Sequence, residues 1–185
     1  MRRKRRRARS ATTKAAPPMS SDCFAVLAIS LVCFRRRFIS YFTSGAILLP
    51  AKTVESRTRV RYKETDQMGI AHHSNYIVWF EIGRTDLCRA TGVTYRDIEE
   101  RGFLLVVVEI GCRFRTPYRY DDEVVIRTSI AEAASRMLRF EYELSDSVGE
   151  VHATGFSTHF WLNRATRKPV KADSDVMRAF GPWLP

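Results

Sequence analysis

One helical period stands among several two-residue periods, and that imbalance limits the folds open to this chain. Tyr76, Trp79, Phe80, Gly83, Leu87 and Ala90 recur at steps of three and four, which predicts a helix from about Asn75 to Thr91 stopped by Gly92. Ile77 and Ile82 widen the apolar stripe, so this helix is expected to be largely enclosed. Before it, Thr58, Val60 and Tyr62 alternate with Arg57, Arg59, Arg61 and Lys63, the pattern of a strand with one face in water. After it, four more strands are expected. Leu104, Val106, Val108, Ile110, Cys112 and Phe114 share one face of the first, and Glu109, Arg113 and Arg115 share the other. Val124, Ile126, Thr128 and Ile130 alternate in the next, and Leu138, Phe140, Tyr142 and Leu144 in the one after. The last, about Glu150 to Leu162, is apolar or small on both faces, as a strand covered on both sides or paired across subunits would be.

Turns separate these runs. Pro117 with Asp121 and Asp122 marks one, and Ser145 to Gly149 reads as a tight hairpin connection. Thr94 and Asp97 make a capping-box start for a short second helix ending at Gly102, and a third is expected from about Ser174 to Phe180. An α+β architecture satisfies the whole pattern: a curved antiparallel sheet wraps round one long central helix and leaves its outer face to solvent or a partner.

Charge divides the chain into two parts. Residues 1–55 hold 12 of the 31 Lys and Arg residues against Asp22 and Glu55, so nearly all of the net charge of +11 lies in a leader and the remainder is close to neutral. A nucleic-acid-binding domain carries its charge on a folded face, so no nucleic-acid partner is expected. Residues 1–22 are rich in Arg, Ala, Thr, Pro and Ser and are expected to be disordered. The apolar run Cys23 to Phe34 is shorter than the roughly 20 residues of a membrane span. It has the outline of a signal peptide without a clear cleavage site, and with its basic neighbours it also suits a membrane-surface arm. We favour a start assigned too far upstream, with Val54 as the true one, which leaves residues 56–185 as the domain. The cysteines at 23, 33, 88 and 112 have no C-x-x-C spacing and read as reduced thiols in the cytoplasm. His152 and His159 fall on opposite faces of a regular strand, and no histidine pair has metal-ligand spacing, so no metal is assigned.

The chemistry is expected in the polar loop Thr65-Asp66-Gln67-Met68-Gly69-Ile70-Ala71-His72-His73-Ser74-Asn75-Tyr76, between the first strand and the long helix. Asp66 is a carboxylate at the end of a strand, Gly69 permits a left-handed turn, and Ser74 or Asn75 can cap the helix. A helix start presents unpaired N–H groups that can polarise a carbonyl oxygen, while a nearby carboxylate acts as base or nucleophile. The chain contains no Ser nucleophile elbow, phosphate loop, dinucleotide fingerprint or zinc-protease helix.

The spacing Thr-Asp-x-x-Gly-x-x-x-His-x-Asn-Tyr resembles that of hotdog-fold acyl-CoA thioesterases of the 4-hydroxybenzoyl-CoA thioesterase type, especially the bacterial subgroup associated with the Tol–Pal system. The likeness runs from about Ser56 to about Phe180. It implies a hotdog fold, hydrolysis of an acyl-CoA or acyl carrier protein thioester, Asp66 and His73 as catalytic residues, and no cofactor beyond the CoA of the substrate. It implies dimers joined sheet edge to sheet edge, often paired into tetramers, with active sites at the interface. Ser74, Asn75, Gly69, His72 and Tyr76 are the expected oxyanion and substrate-binding residues, the amides around His73 to Asn75 being the donors. These relatives often carry Tyr where this chain has His72. Some hotdog thioesterases place their carboxylate on the helix, which makes Glu81 the second choice, against a reading of Glu81 as a buried structural residue. Arg164, Arg167 and Lys168 suit CoA phosphates or simply a basic surface loop. Two rival functions are a hotdog dehydratase acting on 3-hydroxyacyl thioesters and a non-catalytic acyl-CoA-binding or membrane-associated scaffold.

Overall fold

A computed structural model describes residues 52–185. The expectations for the leader, from its disorder to its apolar run, lie outside the described residues. Five antiparallel strands form one sheet in the order β1-β3-β4-β5-β2: β1 is Val54–Arg59, β2 Phe103–Phe114, β3 Glu123–Ala134, β4 Met137–Ser145 and β5 Val151–Asn163. Three helices accompany it: α1, Ser74–Ala90; α2, Tyr95–Glu100; and α3, Ser174–Phe180. The sheet carries α1 on one face, the expected α+β hotdog arrangement. No helix among the described residues is long and apolar enough to cross a membrane.

Glycine sets how closely α1 approaches the sheet. A Cβ at Gly83 would fall 2.2 Å from Thr128 Oγ1 and 2.8 Å from Ile126 Cγ2, so the helix backbone presses onto β3. A Cβ at Gly155 would fall 2.4 Å from the Phe80 ring, which lies over β5 and stacks on Tyr142 at 4.3 Å. Tyr76, Trp79, Phe80, Gly83 and Leu87 are buried as their spacing predicts. Ala90 is exposed, and Val78 and Glu81 also face solvent, so the helix is less enclosed than its stripe suggests. Gly92, with φ +84°, ends it. The capping box at Thr94 and Asp97 forms, and α3 spans the expected residues.

Two expected strands differ in detail. The first begins earlier, at Val54, and ends at Arg59; Tyr62 opens a 3₁₀ turn over Tyr62–Glu64 and is 79% exposed, so it leaves the buried row. In β2, a bulge lies between Val107 and Glu109. Residues opposite one another share a face, so Leu105 and Val107, paired with Trp161 and His159, lie on the α1 side together with Ile110, Cys112 and Phe114. Leu104 and Val106 are therefore on the opposite face from Ile110, against expectation, because one extra residue reverses the alternation. The strand β5 is buried on both faces over most of its length. A register shift between β4 and β5 falls at His152, which stacks on the core residue Tyr118, so the regular alternation expected between His152 and His159 is interrupted.

Candidate active site

The Asp66 loop is a closed turn whose two ends are tied together. Thr65 bridges Ala71, the Asp66 N–H donates to Ile70 O at 2.9 Å, and the Gly69 N–H donates to Asp66 O at 3.0 Å. Gly69 holds φ +72°, where a side chain would be strained. The Asp66 Oδ1 accepts the Met68 N–H at 2.8 Å, an Asx turn that orients the half-buried carboxylate. Asp66 lies beyond the 3₁₀ turn and not at the end of β1, so the strand does not hold it directly.

Glu64 connects this loop to the helix. Its carbonyl oxygen accepts both the His72 N–H and the Asn75 Nδ2–H, each at 2.8 Å. Its side chain is buried and accepts the Arg61 N–H at 2.8 Å and the Arg61 Nε–H at 3.0 Å, with a further short contact to Arg61 Nη2. Burial pushes the Glu64 carboxyl up, but the Arg61 side chain, its N–H and its charge outweigh that effect and hold it below the ordinary carboxylate range. The sequence reading missed Glu64; its signal was Arg61 and Glu64 at a three-residue spacing before a Gly-containing loop.

The residues expected in the site separate into two groups. Asn75 is engaged internally: its Nδ2 also donates to His72 O at 3.1 Å, and its N–H donates to the same oxygen at 3.0 Å. It anchors the helix start through these bonds, so its amide does not face outward as an oxyanion donor. The N-cap is His73 in place of Ser74 or Asn75, with helical backbone angles and no side-chain cap. Ser74 Oγ pairs with His72 Nδ1 at 2.8 Å, and the His72 ring lies 4.1 Å from that of exposed His73. The His73 N–H has no acceptor among the described residues. Tyr76 belongs to the core; its ring meets Phe114 edge-on at 4.8 Å, and its hydroxyl accepts the Tyr118 N–H at 3.5 Å. The Ala71 N–H donates to Tyr118 O at 2.8 Å, so the loop, the helix start and the segment before β3 converge.

Glu81 is exposed and pairs with Arg84 at 3.3 Å, so the expectation of a buried structural residue is corrected: it occupies the solvent side of α1. Asp121 and Asp122 are turn residues, Asp122 Oδ2 accepting the Arg119 N–H at 2.6 Å. Arg164 donates to Glu99 O at 3.0 Å beside a concavity of about 460 Å³ that Glu99, Glu100 and Arg167 also line. A second concavity, of about 360 Å³, lies along α2 at Val93, Asp97 and Arg101. Neither touches the Asp66 loop. The structure also brings together Asp146, Glu150 and His152, which the spacing of histidines alone did not suggest.

Residues 60–180 match the model of the thioesterase-like superfamily. The chain belongs to that superfamily. The chain is similar to YneP of Bacillus subtilis (strain 168), provisionally named an acyl-CoA thioesterase, being 36% identical over 124 residues, 67% of this chain and 87% of YneP. Among solved structures, the Thermus thermophilus protein TT1821 is 37% identical with a TM-score of 0.67, covering 71% of this chain and 98% of that one. A Staphylococcus aureus DHNA-CoA thioesterase has the same TM-score at 26% identity, covering 70% and 89%. The thioesterase-like region thus begins just after β1 and includes β2 to β5, all three helices and the Asp66 loop.

Proposed function

We propose that this protein is an acyl-CoA thioesterase that converts an acyl-CoA and water into a free acid and CoA. The observation that carries the reading is the Asp66 loop, tied through Glu64 to the start of α1 in a chain of the thioesterase-like superfamily. The names of YneP and of the Staphylococcus aureus DHNA-CoA thioesterase support thioester hydrolysis. Asp66 attacks the thioester carbonyl to form a mixed anhydride, or removes a proton from the attacking water. In either route the CoA thiolate leaves and is protonated. The His73 N–H at the positive end of α1 is the best-placed amide for the developing oxyanion, and the His73 imidazole is available to contact substrate. Hydrolysis needs no metal or redox group in this reading, and the protein works in the cytoplasm.

The finer assignment, to the 4-hydroxybenzoyl-CoA type and the Tol–Pal-associated subgroup, rests on the motif of residues 65–76 and on the aromatic Tyr76 and Phe114 beside the loop. The assembly follows from β2. This edge strand exposes Val106, Val107, Val108, Ile110 and Phe114, and pairing with the same strand of a second copy covers them. A dimer formed this way can pair again into a tetramer.

The test is free-thiol release from short-chain, long-chain and aromatic acyl-CoAs by the full chain, with Asp66→Asn in parallel. Turnover is expected in the parent, with kcat lower by roughly 10²–10⁴-fold in the variant, the usual contribution of one acid–base group. A folded parent inert on every thioester, or an Asp66→Asn enzyme of equal rate, overturns the proposal.

A further inference from the structure

The first turn of a helix leaves N–H groups without intrahelical partners, and a side chain at the N-cap ordinarily accepts from one of them. In α1 the N-cap residue His73 makes no such bond. The imidazole one residue upstream takes its place: His72 Nδ1 accepts the Ser74 N–H, at the first residue of the helix, at 3.4 Å and meets the Ser74 hydroxyl at 2.8 Å. An N–H can only donate, so Nδ1 presents its lone pair, the Ser74 hydroxyl donates to it as well, and the ring proton sits on Nε2. A neutral ring also suits the positive end of the helix, where an imidazolium would be repelled.

The backbone of His72 is fixed from both sides. Its N–H donates to Glu64 O at 2.8 Å, and its carbonyl oxygen accepts the Asn75 N–H at 3.0 Å and the Asn75 Nδ2–H at 3.1 Å. The half-buried ring lies 4.1 Å from the His73 ring, with the planes 36° apart. Turning the imidazole about its own axis would break both bonds to Ser74, so the ring is a fixed wall beside His73. His72 thus joins three parts that the hydrolytic reading uses: the base of the Asp66 loop, the first turn of α1, and His73.

We propose that His72 is a positioning residue for hydrolysis: its Nδ1, bonded to Ser74, holds the start of α1 and the His73 ring where the thioester meets them. The inference rests on the thioesterase reading above. His72 acts through Ser74 and His73, in place of the direct substrate contact expected from its position in the motif.

The experiment compares the full chain with His72→Asn and His72→Phe. Asn offers its Oδ1 where Nδ1 stood and keeps the acceptor without the ring, whereas Phe keeps a ring without the acceptor. Each is assayed by thiol release from the acyl-CoA that the parent turns over fastest, and circular dichroism with thermal unfolding verifies the fold. The expected result is a kcat lower by about tenfold in His72→Phe, from a misplaced first turn. In His72→Asn, a good capping residue, kcat should stay within about twofold of the parent. Imidazole nitrogen shifts in the NMR spectrum of the parent should show Nδ1 unprotonated and Nε2 protonated. In an active parent, a lower melting temperature with unchanged kcat in His72→Phe, an equal loss of kcat in both variants, or a protonated Nδ1 would each overturn the role of His72 and leave the hydrolytic reading standing. A parent inert on every thioester overturns that reading and this role with it.

Discussion

The two sides of the sheet differ in how far a single chain completes them. Over β1, β3 and β4 the helix α1 closes the core: Ile126, Ile130, Phe140 and Tyr142 are fully buried, and Gly83 brings the helix backbone down onto β3. At the β2 edge the Tyr76 ring of α1 meets Phe114, and Val107 and Val108 remain 41% and 49% exposed. Both regions are rich in Val, Ile and Phe, so hydrophobicity alone does not distinguish them. Distance from α1 and the Val108 bulge do. The apolar residues of one region serve the fold of the chain, and those of the other form the surface that the proposed dimer would cover.

Phe80→Ala should test this contrast most severely, because it removes the ring that fills the space over Gly155 and stacks on Tyr142. A loss of about 3–5 kcal/mol is expected in denaturant unfolding; a loss below 1 kcal/mol would show that α1 does not close this side. Next is pH. Burial and the nearby Arg84 charge hold the buried His159 imidazole down to about 3. The folded protein therefore keeps His159 neutral where the unfolded chain protonates it. Stability is complete above the ordinary histidine pKa of about 6.5 and declines as pH falls from there toward 3, a loss of roughly 2 kcal/mol between pH 7 and 5. A His159→Gln variant should remove that slope; an unchanged slope would place its origin elsewhere.

Gly155→Ala is expected to cost about 1–3 kcal/mol, since its Cβ meets the Phe80 ring at 2.4 Å and the Gly111 carbonyl oxygen at 2.6 Å. A neutral effect would mean that the contact is looser than drawn. The smallest effect on the stability of the chain itself belongs to the other side. Val107→Lys should change it by no more than about 0.5 kcal/mol, yet sedimentation should show dissociation of the dimer. If the parent is a monomer, or the variant assembles equally well, β2 is not the edge that a second copy covers.

Much of the fold could be read from residue order because each element carries its own local signal. The alternation Leu138, Phe140, Tyr142, Leu144 is buried as written, and Thr94 with Asp97 states where α2 begins. The bulge at Val108 could not be read: the run Leu104 to Ile110 is apolar at every position but Glu109, so a change of phase leaves no mark in its pattern. Tyr62 was placed one turn too far along a strand for a related reason, since alternation does not show where a strand becomes a 3₁₀ turn. The Asp66 loop was legible as a place but not as a geometry. Asn75 looks like a donor for substrate in one dimension and is a tie to Glu64 in three. Asp146, Glu150 and His152 meet only because the hairpin folds back, and no fixed spacing announces that.

The double acceptance at the Glu64 carbonyl also bears on motion. With the His72 amide and the Asn75 side chain bound to one oxygen, the base of the Asp66 loop cannot fray one residue at a time; its release requires both bonds to break, and with them the first turn of α1. The tip, where Met68 projects into solvent, stands on that base. In hydrogen-exchange terms, the His72 amide should report the opening of α1 as a unit, on a slower timescale than surface loops.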